Sequence, residues 1–503
     1  MPHSNHSPAT ATDKAAGRST PGDDASLLAR MGYVQELSRT LGAFSNFAIS
    51  LSIICILAGG ITSFHIGYCS VGGAAIGLGW PLVCLFSLAV ALSMAQIASA
   101  FPTAGGLYHW GAILGGRGCG WATAWFNLAG LVTVLAAINV GTFRFLAAIW
   151  RPEWLEDPTM ELSAVLCITA SQALVNHLGI KLTSRLTDFS GYLILVVAVA
   201  LPAALAAYSG PWHLERLITF TNHSGLPIEA PVWPEGASLS ILFLLGLLLP
   251  AYTITGFDAS AHVAEETLSA AHNVPRGIIH SVLVSGLMGW LLLCVLVLAM
   301  PDAAEGARQG PLVVPWIIGS VLPVWLADTM FTGIVAAQYL CGLATVTSAS
   351  RMTYAFARDG GLPWSAQLRR VSQRYRTPAA AIWTVAVAAV LFTVFTPVYS
   401  TITVVCTIFL YISYVLPITA GLLAYGRSWR SFGPWQLGGW FRPLALASLL
   451  GCSTLILVGM QPPNEASIPV VAGMGLLLAV AWYGGMRNRF PGPPVAGLAE
   501  GFR

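Results

Sequence analysis

Leu249-Pro250-Ala251-Tyr252-Thr253-Ile254-Thr255-Gly256-Phe257-Asp258 breaks a helix in the middle of an apolar span. Proline removes a backbone donor and glycine loosens the chain, so a helix over 238–262 is interrupted here. The first apolar span, 42–66, holds a second interruption, Ile53-Ile54-Cys55-Ile56-Leu57-Ala58-Gly59-Gly60-Ile61-Thr62. Paired interruptions in corresponding spans of two halves mark a binding site near the middle of the membrane in a transporter.

The composition agrees with spans of that kind. The 503 residues are 56% hydrophobic and 9% charged, with a mean hydropathy of +0.72. A soluble domain carries about 25% charged residues, so lipid is the solvent for most of this surface. Leu41 to Gly67, Val71 to Ala100, Trp121 to Trp150 and Pro275 to Met300 each exceed the ~20 residues that cross a bilayer. Alternating segments of about ten residues, the mark of a β-barrel, are absent, so the spans are helices that satisfy their own backbone. About twelve are expected, at 42–66, 72–100, 121–149, 161–178, 188–208, 238–262, 276–300, 323–349, 379–396, 400–425, 443–460 and 466–485. They form a transmembrane domain over 31–487, between a disordered N-terminal tail, 1–30, without the apolar core of a signal peptide, and a short C-terminal tail, 488–503.

The basic residues orient the chain. Of the 24 Lys and Arg, only Arg151, Arg216 and Arg308 fall on the outer side when both termini are placed inside. Arg144 lies within a span and is read as snorkelling to the interface. The positive-inside rule therefore puts both termini in the cytoplasm of a cell (cytoplasmic) membrane. The segment Arg351 to Thr377 carries six arginines against one acid, Asp359, and reads as the strongest orienting signal. The outer segments are acidic at Glu153, Glu156 and Asp157, with interfacial Trp154, Trp212 and Trp233.

Five helices separate the two interruptions, as a five-plus-five inverted repeat with two appended helices requires. The outer half of the first helix is expected to begin near Gly60, turning free amides and a positive dipole end to the midplane, where a carboxylate is favoured. The outer half of the sixth ends near Tyr252 and Thr253, exposing carbonyls that suit an ammonium group. An amino acid has both ends. The plainer account of Gly59-Gly60 is tight helix packing. Asp258, an ionisable residue beside the break, is a functional candidate by default. It would hold an amine, titrate during transport, or cap the inner half-helix. Glu265 and Glu266 lie toward the cytoplasmic surface, as a solvated helix end or as partners in a gating ion pair.

Four stretches together carry a family resemblance. Ala251 to Thr267, Ala-Tyr-Thr-Ile-Thr-Gly-Phe-Asp-Ala-Ser-Ala-His-Val-Ala-Glu-Glu-Thr, is followed by Asn273-Val274-Pro275-Arg276. Phe44 to Ser50 leads into Leu57-Ala58-Gly59-Gly60, Phe101-Pro102-Thr103-Ala104-Gly105-Gly106 follows the second span, and Ser350 to Pro363 ends the eighth. They resemble the amino acid–polyamine–organocation superfamily, and most of all its amino acid/choline permease branch. The resemblance covers roughly 31–487. It implies an all-α membrane protein of the leucine-transporter type, with substrate between helices 1, 3, 6, 8 and 10. By position, Ala58, Gly59, Gly60, Ile61 and Thr62 would meet a carboxylate. Tyr252, Thr253, Thr255, Gly256 and Phe257 would meet the amine and wall the pocket. Sodium-dependent relatives place an ion between helix 1 and hydroxyls of helix 8, where this chain has Thr345, Thr347 and Ser348; back-bonded packing hydroxyls are the plainer account. Some proton-coupled relatives carry a lysine within helix 5, whereas Lys181 here precedes it, so proton coupling by that route is not expected.

The function expected is secondary active transport of an amino acid or γ-amino acid, γ-aminobutyrate included, by alternating access. Proton or sodium coupling and obligate exchange all stay open. A choline or polyamine permease is the alternative. A polyamine wants several acids, and the spans offer chiefly Asp258 and Asp328; choline wants an aromatic cage, for which Phe257, Tyr252 and Tyr411 are available. A transporter-like sensor is a distant alternative, since it would carry a substantial signalling domain. No converging nucleophile and base suggests an enzyme, and no Gly-x-x-x-x-Gly-Lys-Ser/Thr loop binds a nucleotide. Nine scattered cysteines, with His177, His262 and His280, show no ligand spacing. No metal, cofactor or nucleic acid is expected.

Overall fold

The computed structural model describes residues 21–395 and 399–494. The outermost parts of the two expected tails, 1–20 and 495–503, lie outside the described residues.

The described chain is helical, with two isolated backbone bridges and no longer strand. Twelve apolar helical segments run in order. They are α1 (Ala43–Ile54, resuming as Gly59–Thr62 and Phe64–Val71), α2 (Trp80–Ala100), α3 (Arg117–Trp150), α4 (Pro158–His177) and α5 (Ile180–Tyr208). Then come α6 (Leu239–Gly246, Leu248–Thr253 and Ala259–His262), α7 (Ala270–Ala299), α8 (Val324–Arg358), α9 (Ala379–Phe395), α10 (Tyr399–Ala424), α11 (Phe441–Gly459) and α12 (Ser467–Ala481). Ten of these, α12 taken with its continuation to Arg489, are long and apolar enough to cross a bilayer alone; α6 and α9 are shorter, as is a further apolar segment, Gly310–Val321, between α7 and α8. This is the multi-pass membrane fold that the sequence predicts, with α1 and α6 both broken.

The inner elements position the site. α10 lies along α3, α7 packs on α1 and α2, and α8 touches α1, α3 and α5. The pieces of α6 sit among α1, α7, α8 and α10. Helix α12 instead packs on the rim beside α10, leaving Leu476, Leu477, Val480 and Tyr483 exposed, as an appended helix in lipid does. Arg144 pairs with Glu161 of α4 at 2.8 Å and is half-buried, so it ties two helices together besides reaching toward the interface.

Four boundaries differ from expectation. Helix α5 begins at Ile180, eight residues before the expected 188, so Lys181 stands exposed in its first turn and does not precede the helix. Helix α8 runs to Arg358, so Arg351 lies inside it, buried, and not in a solvated loop. The described part of the N-terminal stretch is a helix, Pro21–Arg30, with Leu28 buried. Its Asp24 carboxylate accepts the Ser269 and Ala270 amides at 2.7 and 3.1 Å, capping α7 from another part of the chain. The composition of 1–30 is polar, but such a cap is invisible to composition. At the other terminus Phe490 is buried and its carbonyl accepts from Arg117 at 3.1 Å, so the expected C-terminal tail begins as a packed strap.

Candidate functional site at the paired helix breaks

Helix α1 stops at Cys55, whose φ of 16° and ψ of 87° leave the helical region, and resumes at Gly59. The Ala58 and Gly59 amides bond to the Cys55 carbonyl at 2.8 and 3.0 Å. The Gly60 and Ile61 amides fall in the new first turn and find no backbone acceptor, as helix starts leave them. Thr62 donates its hydroxyl to the Ala58 carbonyl at 2.7 Å. Ala58, Gly59, Gly60 and Ile61 are buried, and Thr62 is partly so.

Helix α6 stops at Thr253 and resumes at Ala259. Gly256, with φ of +83°, turns the chain between them, and a Cβ there would come 2.4 Å from Ile53. Glycine is required by both conformation and contact. The Thr253 and Thr255 hydroxyls turn back on the Leu249 and Tyr252 carbonyls, each at 2.8 Å. The Ala251 carbonyl accepts from Tyr411 at 3.0 Å. The breaks touch each other: a Cβ on Gly59 would meet the Thr253 Cα at 3.0 Å, whereas one on Gly60 meets nothing nearer than Leu293 at 3.7 Å. Tight packing therefore accounts for Gly59 and leaves Gly60 unexplained. Tyr252 and Phe257 are buried, the latter tilted against Tyr414 at 5.1 Å.

Asp258 is fully buried and spoken for by the protein. Its Oδ1 accepts from Tyr414 at 2.9 Å; its Oδ2 faces Asn127 Nδ2 at 3.0 Å and His262 Nε2 at 3.2 Å. Tyr414 in turn accepts the Gly256 amide at 3.0 Å. The carboxylate thus joins α3, α6 and α10 around the break. Its side chain caps no amide of the inner half-helix, one of the three roles expected of it.

Both glutamates after α6 are buried in ion pairs, not solvated. Arg351 Nε and Nη2 reach the Glu266 oxygens at 3.0 and 3.2 Å, and Arg358 Nη1 and Nη2 reach those of Glu265 at 3.0 and 2.8 Å. Such two-pronged arginine–carboxylate contacts are strong and directional. The N-terminal segment closes over them. Thr40 and Leu41 donate to the Glu266 carbonyl at 2.9 and 2.8 Å, and Arg358 lies 3.9 Å over the Tyr33 ring. Tyr33 and Tyr108 donate to Asp359 at 2.8 and 2.9 Å, and His109 Nε2 lies 3.1 Å from it. Burial works to raise the Asp359 and Glu265 carboxyls. The His109 hydrogen bond on the first and the Arg358 charge on the second outweigh it, holding both below the usual carboxylate range.

On α8, Thr345 bonds back to Cys341 at 2.9 Å, and Thr347 bonds Asn176 at 2.7 Å and its own helix. The Ser348 hydroxyl is buried without a partner. The carbonyls of α1 meet other groups of α8: Gln338 Nε2 donates to Leu57 at 3.0 Å and Cys341 Sγ to Ile53 at 3.4 Å.

Sequence reasoning missed Asn127, His262, Gln338 and Tyr414 as parts of this centre. His262 had a signal, since it stands one helical turn after Asp258, the spacing at which two side chains meet. Asn127, Gln338 and Tyr414 come from other helices, and nothing local to them marks their partners.

Comparison with known proteins follows the same lines. Residues 41–482 match the amino acid permease family. Amino-acid permease BAT1 of Arabidopsis thaliana is 31% identical over 93% of this chain and 95% of its own, and its homolog in Oryza sativa subsp. japonica 30% over 93% and 94%. The GABA-specific permease of Saccharomyces cerevisiae is 29% identical over 72% of this chain and 64% of its own.

Proposed function

Because the chain belongs to the amino acid permease family, and is therefore a multi-pass membrane transporter and not an enzyme, we propose that it carries an amino acid or γ-amino acid across a cell membrane. The substrate is held at the two helix breaks and released by alternating access. The observation that carries this is the pairing of the breaks. Gly60 and Ile61 offer unpaired amides to a carboxylate, and the end of the outer half of α6 at Thr253 offers the negative end of a helix to an amine. Ala58, Gly59 and Thr62 shape the first wall; Tyr252, Thr253, Thr255, Gly256 and Phe257 shape the second.

The chemistry disfavours a polyamine. Asp258 is already satisfied by three donors, and Asp328 is exposed on the outside of α8, so no second acid faces the breaks. The aromatics pack on each other or bond to backbone, which leaves choline the weaker reading. Sodium held between α1 and α8 is disfavoured as well, because Gln338 and Cys341 occupy the Leu57 and Ile53 carbonyls and Thr345 and Thr347 are engaged, which leaves Ser348 alone of the three hydroxyls open. We place the arginine-rich end in the cytoplasm by the positive-inside rule. Glu265, Glu266, Arg351 and Arg358 then form the cytoplasmic gate, closed here.

Uptake into proteoliposomes tests the proposal. With an inward proton gradient, one labelled amino or γ-amino acid accumulates, and choline and polyamines do not. Uptake of choline alone, or of no amino acid even by exchange, overturns it.

A further inference from the structure

His262 has an acceptor on each side. Its Nε2 faces the Asp258 carboxylate at 3.2 Å and its Nδ1 faces the Ala104 carbonyl at 3.4 Å. Both side chains are completely buried. A neutral imidazole has one N–H and one lone pair, so it leaves one acceptor unanswered, or turns its lone pair on a carbonyl. Only the doubly protonated ring donates to both. The same proton makes the Asp258–His262 pair neutral overall, where a lone buried carboxylate inside a membrane is costly.

The Ala104 contact leads directly to the gate. Ala104 also donates its amide to Glu265 at 3.2 Å, and its loop supplies Thr103, whose hydroxyl lies 2.6 Å from His109 Nδ1. Gly106, with φ of +48°, brings the loop against the imidazole, and a Cβ there would stand 3.2 Å from Nδ1. We infer that the Asp258–His262 pair binds the proton that drives transport, and that the bound proton holds the Phe101–Gly106 loop down on the closed cytoplasmic gate. The proton enters from the outer water, rests on the pair, and leaves to the cytoplasm as the loop lifts and the substrate departs. The inference rests on the transport reading for the proton's direction, but the loop switch stands apart from it.

Other titratable groups surround the pair. Helix α10 presents Tyr414, with Tyr411 behind it, and the short helix Leu107–Gly115 that follows the loop carries Tyr108 and His109, both turned to Asp359. Glu265 follows on the same segment with Arg358 of α8 against it, while α1 and α3 present the neutral Ser50 and Asn127. Glu265 and Asp359, held low, stay ionised across the range in which a histidine changes charge, about pH 5 to 8. His109 is the group that must be separated from His262.

Hydrogen–deuterium exchange does so. In the wild-type protein, amides of residues 101–109, corrected for intrinsic rate, exchange about tenfold more slowly at the acid end of that range than at the alkaline end. In His262→Gln the difference vanishes; in His109→Gln it persists. In proteoliposomes His262→Gln loses gradient-driven accumulation by a larger factor than it loses one-for-one exchange. A wild-type loop indifferent to pH overturns the inference without any variant, and so does a His262→Gln protein that still accumulates substrate against a gradient. If the wild type moves no amino acid but its loop switches through His262, the transport reading fails and the switch survives.

Discussion

Gly60→Leu strongly weakens amino-acid binding while the protein remains folded and inserted. The position has room for a first carbon, since a Cβ there meets nothing nearer than Leu293 at 3.7 Å. The three further carbons of leucine extend toward Leu293 and the Thr253 methyl, the side on which the two breaks meet, and crowd the space between them. A loss on the order of a hundredfold in affinity, about 3 kcal/mol, is expected by scintillation proximity binding on purified protein. Gly60→Ala binds with a smaller deficit. Gly59→Ala behaves differently, because its Cβ presses on the Thr253 backbone at 3.0 Å and disturbs the breaks themselves. Normal affinity in a well-folded Gly60→Leu protein removes the α1 break from the site.

The second large effect falls on the gate. Arg351→Met leaves Glu266 completely buried without its charged partner, a loss of about 3–5 kcal/mol for a pair of this kind. The purified variant should melt well below the wild type in the same detergent, or fail to accumulate in the membrane. Removing both charges, as Arg351→Met with Glu266→Gln, restores most of the loss, since no unpaired charge remains. The double variant is also expected to open its cytoplasmic side more readily, seen as faster labelling of a cysteine introduced at Ala357. If the single and double variants melt alike, the pair contributes nothing as a pair.

These two sites also show what a sequence tells and what it withholds. The breaks were legible because their causes are local: Pro250, Gly256 and Gly59-Gly60 sit within runs whose hydropathy otherwise demands helix. The order of the spans was legible for the same reason. The partners across helices were not. Glu266 and Arg351 are 85 residues apart, and each alone reads as a charge at a solvated helix end. Asp24 looks like part of a polar tail until Ser269, with its left-handed backbone, presents the start of α7 to it. His262 was the near miss. Its spacing from Asp258 is plain in the sequence, but only the Ala104 carbonyl on its far side gives the ring two acceptors.

The central claim, that paired breaks hold the two ends of an amino acid, is tested most directly by binding of three ligands to purified wild-type protein. They are the transported amino acid, the amine that lacks its carboxylate, and the acid that lacks its amine. The account predicts that each truncated ligand binds at least about a hundredfold more weakly, roughly 3 kcal/mol for each lost end, with the acid's residual binding further reduced by Gly60→Leu. An amine that binds as tightly as the amino acid would contradict it, and would return the site to the organic-cation permeases.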